Sequence, residues 1–319
     1  MRGLHDGVDF WSEETWAARL AGEGTEVRRQ GSKYKGKRIE EMKTSERSGT
    51  ISLQGVEVHL SHPDELSFSW VGQVECLKQL LAAWWVVGPE DMPMNPRLVG
   101  RPGVGKTTLA YAAGRALRRE VYIFQATMDT RPEDLLITPV ISSEARIKYV
   151  ASPLVTAMVR GGVCVLDEGN RMSEKAWASL APLLDPRRYV ESIVTGLKIQ
   201  AHPDFRFVAT MNEDASTYEL PEYIHSRLQP QILVDFPDRE DELRILKENL
   251  PFADVHILEY VVDFLQRAHE ADERYTVRDG INVARYALKL ADQEGGEIKG
   301  LIRKGLVMIL GEEALQYVE

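Results

Sequence analysis

Gly100-Arg101-Pro102-Gly103-Val104-Gly105-Lys106-Thr107-Thr108 puts a lysine and two hydroxyls directly behind a glycine-rich run. Glycines let successive backbone N–H groups turn into one concavity, and a helix starting there adds its positive end. Such a cradle suits phosphate. Lys106 then reaches the β- and γ-phosphates of a nucleotide, and the Thr107 hydroxyl holds Mg²⁺. Leu98-Val99 before the loop and Leu109-Ala110-Tyr111-Ala112-Ala113 after it supply the strand–loop–helix context this chemistry requires. The chain is therefore expected to bind a nucleoside triphosphate through Gly100, Pro102, Gly103, Val104, Gly105, Lys106, Thr107 and Thr108.

Val163-Cys164-Val165-Leu166-Asp167-Glu168 is an apolar strand ending in two acids. In open α/β folds ligands bind at that carboxyl edge. Asp167 would hold Mg²⁺, through water because the ion dehydrates reluctantly. Glu168 would orient and polarise an attacking water, since phosphoryl transfer needs mostly positioning and charge stabilisation. A third strand, Phe205-Arg206-Phe207-Val208-Ala209-Thr210-Met211-Asn212, ends in an amide. Asn212 either bridges γ-phosphate and water or makes an ordinary turn with Asp214.

These residues need a parallel sheet to bring them to one edge. Strands are predicted at 97–99, 121–126, 163–166, 205–209 and 231–236, separated by helical stretches, which is the pattern of a sheet covered on both faces. Alternation over residues 50–60 predicts a strand or hairpin, and the 68–89 segment has helical spacing. From Asp238 only helices are predicted. Asp238 is the N-cap of a first one, with Asp241 at the third position and Pro251 beyond its end. Further helices fall near 255–268, 281–290 and 298–310. The fold class is α/β: a P-loop NTPase parallel sheet flanked by helices, followed by a small all-α lid. The division is 1–67 as an N-terminal extension, 68–237 as the nucleotide-binding α/β domain and 238–319 as the helical lid.

Composition bounds the rest. The 319 residues are 44% hydrophobic and 28% charged, with a net charge of −10; this is a soluble, globular profile that argues against a generic nucleic-acid binder. Cys76 and Cys164 are the only cysteines and read as reduced structural thiols. The longest apolar run, 80–88, is too short for a bilayer, so a cytoplasmic protein without membrane contact is expected. Residues 28–47 carry eight Lys or Arg among Gly, Ser and Glu. Such a segment buries too little to offset its ordering entropy, so a partly flexible basic arm is expected, with Trp11 and Trp16 available to dock.

Taken together, these motifs resemble the AAA+ ATPases, specifically the MoxR branch and its dynein-related neighbours. The resemblance spans residues 68–290. It rests on Phe68-Ser69-Trp70-Val71-Gly72-Gln73, the phosphate loop, Asp167-Glu168-Gly169-Asn170-Arg171, and His202-Pro203-Asp204-Phe205 through Asn212. It continues from Glu219-Leu220 to Ser226-Arg227-Leu228 and ends at Thr276-Val277-Arg278-Asp279. It implies roles: Asn212 as sensor 1, Arg227 as an arginine finger reaching a neighbouring subunit's γ-phosphate, and Arg278 as sensor 2 on the lid. A planar, permanently charged guanidinium suits both arginine tasks. Leu228 stands where the family has Phe, and Gly169 where it has a larger apolar residue. Two hairpins typical of the branch fall at 138–150 and 185–203, either facing substrate in a ring pore or lying as ordinary surface hairpins.

The resemblance implies a homo-oligomeric ring, a hexamer, hydrolysing Mg-ATP to remodel a partner protein. Relatives in the branch commonly act on proteins with von Willebrand factor A domains. Two alternatives stand beside it. One is a nucleic-acid-stimulated motor whose pore is lined by Arg146, Lys148, Arg187, Arg188 and Lys198. The other is a nucleotide-gated scaffold with little turnover.

Overall fold

The computed structural model describes residues 49–67, 70–143, 145–213 and 219–318. The expected basic arm, Phe68-Ser69 of the entry motif and Asp214 lie outside these residues. Five strands form the central sheet: β3 (Arg97–Gly100), β4 (Val121–Gln125), β7 (Val163–Asp167), β10 (Arg206–Asn212) and β11 (Gln231–Leu233). Their order is β11-β3-β10-β7-β4, and every pairing is parallel.

The inner strands are apolar on both faces because helices cover both. Successive side chains of β7 and β10 point to opposite sides. Cys164, Leu166, Phe207 and Ala209 join a core with Leu154, Trp177 and Phe205. Val165 and Val208 join a second core with Leu77, Leu81 and Leu109. The second core belongs to α1 (Val74–Trp84) and α2 (Lys106–Ala116); the first is covered by α3 (Pro153–Arg160) and α4 (Glu174–Leu180). Trp84 of α1 donates its indole N–H to the Phe207 carbonyl at 2.9 Å, pinning the helix to the middle strand.

Register decides function here. Asn212 of β10 pairs with Gly100 of β3, and Ala209 pairs with Leu166 of β7. The phosphate loop, the acidic pair and Asn212 therefore leave the sheet at the same edge. β10 runs three residues past its predicted end because Thr210-Met211-Asn212 pair with Leu98-Val99-Gly100. β11 stops at Leu233, short of Phe236, which leaves the strand to stack on His269 with ring centroids 3.8 Å apart. The polar start of β3 has a partner as well. Arg97 is buried and donates to Gln231 Oε1 at 2.6 and 3.0 Å and to the carbonyls of His225 and Leu228.

The strand or hairpin expected at 50–60 and the hairpin expected at 138–150 form one object. Strands β1 (Thr50–Leu53), β2 (Val56–His59), β5 (Ile137–Ile141) and β6 (Ile147–Ala151) make a four-stranded sheet of order β1-β2-β6-β5, closed by parallel pairing of Val58 with Tyr149. The hairpin expected at 185–203 is β8 (Tyr189–Ser192) with β9 (Leu197–Gln200).

The chain then passes through a short helix, α5 (Glu222–His225), and β11 into α6 (Arg239–Asn249), α7 (Val255–Glu270), α8 (Val277–Glu294) and α9 (Ile298–Leu310), which share a separate core. Asp238 caps α6 by accepting the Asp241 N–H at 2.9 Å, as predicted. α8 starts four residues before the predicted 281 because Thr276 and Asp279 form a capping box. Gly280 does not break it: a side chain there would meet Leu265 of α7 at 2.6 Å, so glycine is what lets the two helices close.

Candidate nucleotide-hydrolysis site

The phosphate loop has the shape its glycines predict. Gly103 and Gly105 sit at φ +84° and +95°, and both are packed against neighbours. A Cβ on Gly103 would lie 2.9 Å from Thr276, and one on Gly105 would lie 2.9 Å from the Trp70 ring. Lys106 opens α2; its side chain is only 6% exposed, and Nζ donates to the carbonyls of Gly100 (2.8 Å) and Arg101 (2.7 Å). The first turn of α2 has no acidic residue and no side-chain cap. Its N–H groups and helix dipole are thus directed at the loop's concavity, the arrangement that favours an anion.

Next to it stand the carboxylates. Asp167 Oδ1 accepts hydrogen bonds from Thr107 Oγ1 and Thr210 Oγ1, both at 2.6 Å. A hydroxyl and a carboxylate so close together are hard oxygen donors suited to Mg²⁺. Glu168 adopts φ +54°, rare for a residue with a side chain, and starts the single turn Gly169–Arg171. Its carboxylate is held at both oxygens. Asn212 Nδ2 donates to Oε1 at 3.0 Å, and Arg171 Nε lies 2.6 Å from Oε2. Asn170 ties the turn to β10 by donating to the Asn212 carbonyl (2.8 Å) and accepting its N–H (3.3 Å). Gly169 fits for a local reason: a Cβ there would touch the Trp177 ring at 3.0 Å.

The lid helices complete the other wall. A cleft of about 440 Å³ is bordered by Arg101, Pro102, Gly103 and Glu213 on one side and by Arg274 and Arg278 on the other. Arg101 crosses it to pair with Asp272, donates to the Glu273 carbonyl at 3.2 Å and lies over the Phe236 ring.

The structure thus brings together Lys106, Thr107, Asp167, Glu168 and Asn212, with Arg278 in the cleft across the loop from them. Arg227 is not in that group: its guanidinium donates to the Tyr223 carbonyl and faces Asp185. Asn212 contacts Glu168, and Asp214, its partner in the turn reading, lies outside the described residues. Sequence reasoning missed Thr210, although it stands two residues before Asn212 and so shares its face of the strand. It also missed Asn170 and Arg171 inside the acidic motif.

The basic pore reading is corrected at Arg188. This side chain is buried, donates to the Phe205 carbonyl at 2.9 Å and lies over the Phe205 ring, so it is a strut under the hairpin. Arg187 is bonded to Asp185 at 2.7 Å, and Lys198 sits 3.7 Å from the centre of the Tyr189 ring. Among the described residues no helix is long and apolar enough to cross a membrane.

The chain is 27% identical over 207 residues to an uncharacterized protein of Staphylococcus aureus (strain NCTC 8325 / PS 47), covering 63% of this chain and 78% of that protein. It is 26% identical over the same length to an uncharacterized protein of Staphylococcus haemolyticus, with the same coverage. Among solved structures, the Thermotoga maritima RuvB Holliday junction branch migration motor superposes with a TM-score of 0.51 at 18% identity, over 75% of this chain and 70% of that one. That likeness is one of fold. Residues 97–228 match the family described as AAA domain (dynein-related subfamily), and the parallel sheet with its flanking helices is the P-loop NTPase fold.

Proposed function

We propose that this protein is an ATP hydrolase of the MoxR kind that assembles as a six-membered ring and remodels a partner protein in the cytoplasm. The observation that carries this reading is the network in which Thr107 and Thr210 share Asp167 while Asn212 holds Glu168, all at the mouth of the phosphate loop. Lys106 and the α2 amides bind the phosphates. Thr107 and Asp167 would hold Mg²⁺, which would supply charge neutralisation for phosphoryl transfer. Glu168, oriented by Asn212, directs a water at the γ-phosphate. Arg278 approaches from the lid, with residues 68–237 acting as the nucleotide-binding unit and 238–319 as the lid that closes on it.

Arg227 lies apart from the Asp167 and Glu168 cluster of its own chain, against the Tyr223 carbonyl and Asp185. That fits a finger offered to a neighbouring copy, where such an arginine contributes on the order of 10³-fold or more to turnover. A protein with a von Willebrand factor A domain is the partner class that the resemblance to the MoxR branch offers. The nucleic-acid alternative loses support with Arg188 buried and Arg187 bonded to Asp185.

The deciding experiment is Mg-ATP turnover per subunit across a wide range of protein concentration. A rise with concentration is expected, because each site needs a neighbour's arginine. Turnover that stays flat down to concentrations where light scattering reports monomers would overturn the ring reading.

A further inference from the structure

Arg227 is oriented by a residue from outside its own segment. Asp185 stands at the root of the β8–β9 hairpin with its side chain 14% exposed, and its Oδ2 lies 3.8 Å from Arg227 Nε. On the other side, Arg227 Nη1 donates to the Tyr223 carbonyl, and the guanidinium lies over the Tyr223 ring, 5.8 Å from its centre. Nη1 is thus hydrogen-bonded, and Nε lies within ion-pair range of Asp185 though beyond a hydrogen bond, so the guanidinium sits between the Tyr223 carbonyl and the Asp185 carboxylate.

Asp185 is itself held in place. Its Oδ1 accepts from the Arg187 N–H and Nε, both at 3.0 Å, and its Oδ2 from Arg187 Nη2 at 2.7 Å. The bond to Arg187 keeps its carboxyl below the ordinary aspartate range. The turn is locked to the hairpin. Arg188 N–H donates to the Asp185 carbonyl at 3.1 Å, Ala201 N–H donates to the Arg188 carbonyl at 2.8 Å, and Gln200 Nε2 donates to the Arg187 carbonyl at 2.8 Å. At the other end of that hairpin Ile193 is 90% exposed.

We propose that Asp185 is a positioning residue for Arg227, holding its guanidinium in the orientation that serves a neighbouring copy's site and tying it to the root of the hairpin. The proposal rests on the reading of Arg227 as a finger acting between subunits. A displacement of the hairpin would move Asp185 with its turn and so change the finger's aim, a direct route from a surface contact to hydrolysis next door.

The test is a mixing experiment with full-length chains. Lys106→Ala subunits cannot bind ATP but keep their finger; Arg227→Ala subunits keep their own site but offer no finger. Turnover in the mixture then comes from Arg227→Ala sites completed by Lys106→Ala neighbours. Asp185→Asn is added to one partner or the other, with thermal melting checked for each. On the finger-bearing chain it should lower turnover at saturating ATP by about fivefold, the size of a partly exposed ion pair, with KM unchanged. Asp185→Glu on that chain should restore most of the loss. An equal loss whichever chain carries the change, or no loss in either, would overturn the proposal by making Asp185 structural or idle. Absence of turnover in the parent mixture would instead overturn the between-subunit reading, and the proposal with it.

Discussion

Thr210 Oγ1 lies 2.6 Å from Asp167 Oδ1 and accepts the Glu168 N–H at 3.0 Å, so one hydroxyl positions both members of the acidic pair. Thr210→Val keeps the shape of the side chain and removes both bonds. Asp167 then keeps only its bond from Thr107, and the Glu168 amide loses the Thr210 hydroxyl. Turnover should fall about tenfold, with a higher Mg²⁺ concentration needed for half-maximal rate, while the melting temperature moves by no more than one lost buried hydrogen bond allows, about 1–2 kcal/mol. A Mg²⁺ titration of the hydrolysis rate checks this; an unchanged midpoint would sever Thr210 from the metal site.

Lys106 and Glu168 should fail in different ways. Lys106→Ala removes the only ammonium inside the loop together with its bonds to the Gly100 and Arg101 carbonyls. Nucleotide binding measured by calorimetry should be lost. Glu168→Gln keeps the bond from Asn212, so ATP should still bind while turnover drops by about 10²-fold or more, the scale of a lost general base. Near-normal turnover in Glu168→Gln would mean that another group activates the water.

Gly103 is the residue on which the lid rests. At φ +84°, with Thr276 2.9 Å from where a Cβ would stand, Gly103→Ala meets both backbone strain and a clash with the start of α8. The expected cost is about 1–3 kcal/mol, together with weaker ATP binding as the lid is pushed off the loop. Gly55 is a control: it shares the positive φ but has open space around it, so Gly55→Ala should show the strain alone and leave ATP affinity unchanged.

Glu242 gives the lid a pH dependence with a definite sign. Its side chain is fully buried, with Oε2 accepting from Gln266 Nε2 at 2.8 Å and Oε1 3.8 Å from His269 Nδ1. Burial pushes its carboxyl up to about 7, and Asp238 adds to the rise. The folded state thus keeps a proton that the unfolded chain has already released. The stability this contributes is full below the ordinary glutamate range and is lost as pH rises through about 7. Burial lowers His269, so the imidazole acts in the opposite direction, stabilising above its ordinary value and less below it. Glu242→Gln retains the shape, cannot ionise, and should match the parent near pH 5 but exceed it by up to about 3 kcal/mol at pH 8. Denaturation curves at the two pH values decide it; parallel pH profiles would show that Glu242 does not titrate in this range.

The readable parts of the fold were those with local causes. Glycines that demand positive φ, a strand ending in acids, and Asp238 followed by Asp241 each act within a few residues, and each was found where its chemistry predicts. What escaped notice depends on partners far along the chain. Nothing near Arg97 announces that Gln231 and two carbonyls will receive its guanidinium, so the start of β3 reads as a polar strand end. Nothing near Val58 announces Tyr149, so the 50–60 and 138–150 segments read as separate elements and not as one sheet. Thr210 was passed over because a threonine in a buried strand is ordinary until the register sets it beside Asp167. Arg188 was misread in the other direction, since adjacent arginines look alike until burial separates Arg188 from Arg187.

The sheet order also constrains when the protein can become active. β3, from which the phosphate loop springs, pairs only with β10 and β11, strands that lie more than 100 residues later in the chain. A ribosome adding about 5–20 residues per second needs several seconds or more to cover that distance. Through that interval β3 has no neighbouring strand on either side, and the loop can meet Asp167 only through Thr107 and the packing of α2 on β7. A nascent chain therefore acquires its nucleotide site late and in one step, when β10 slides between β3 and β7.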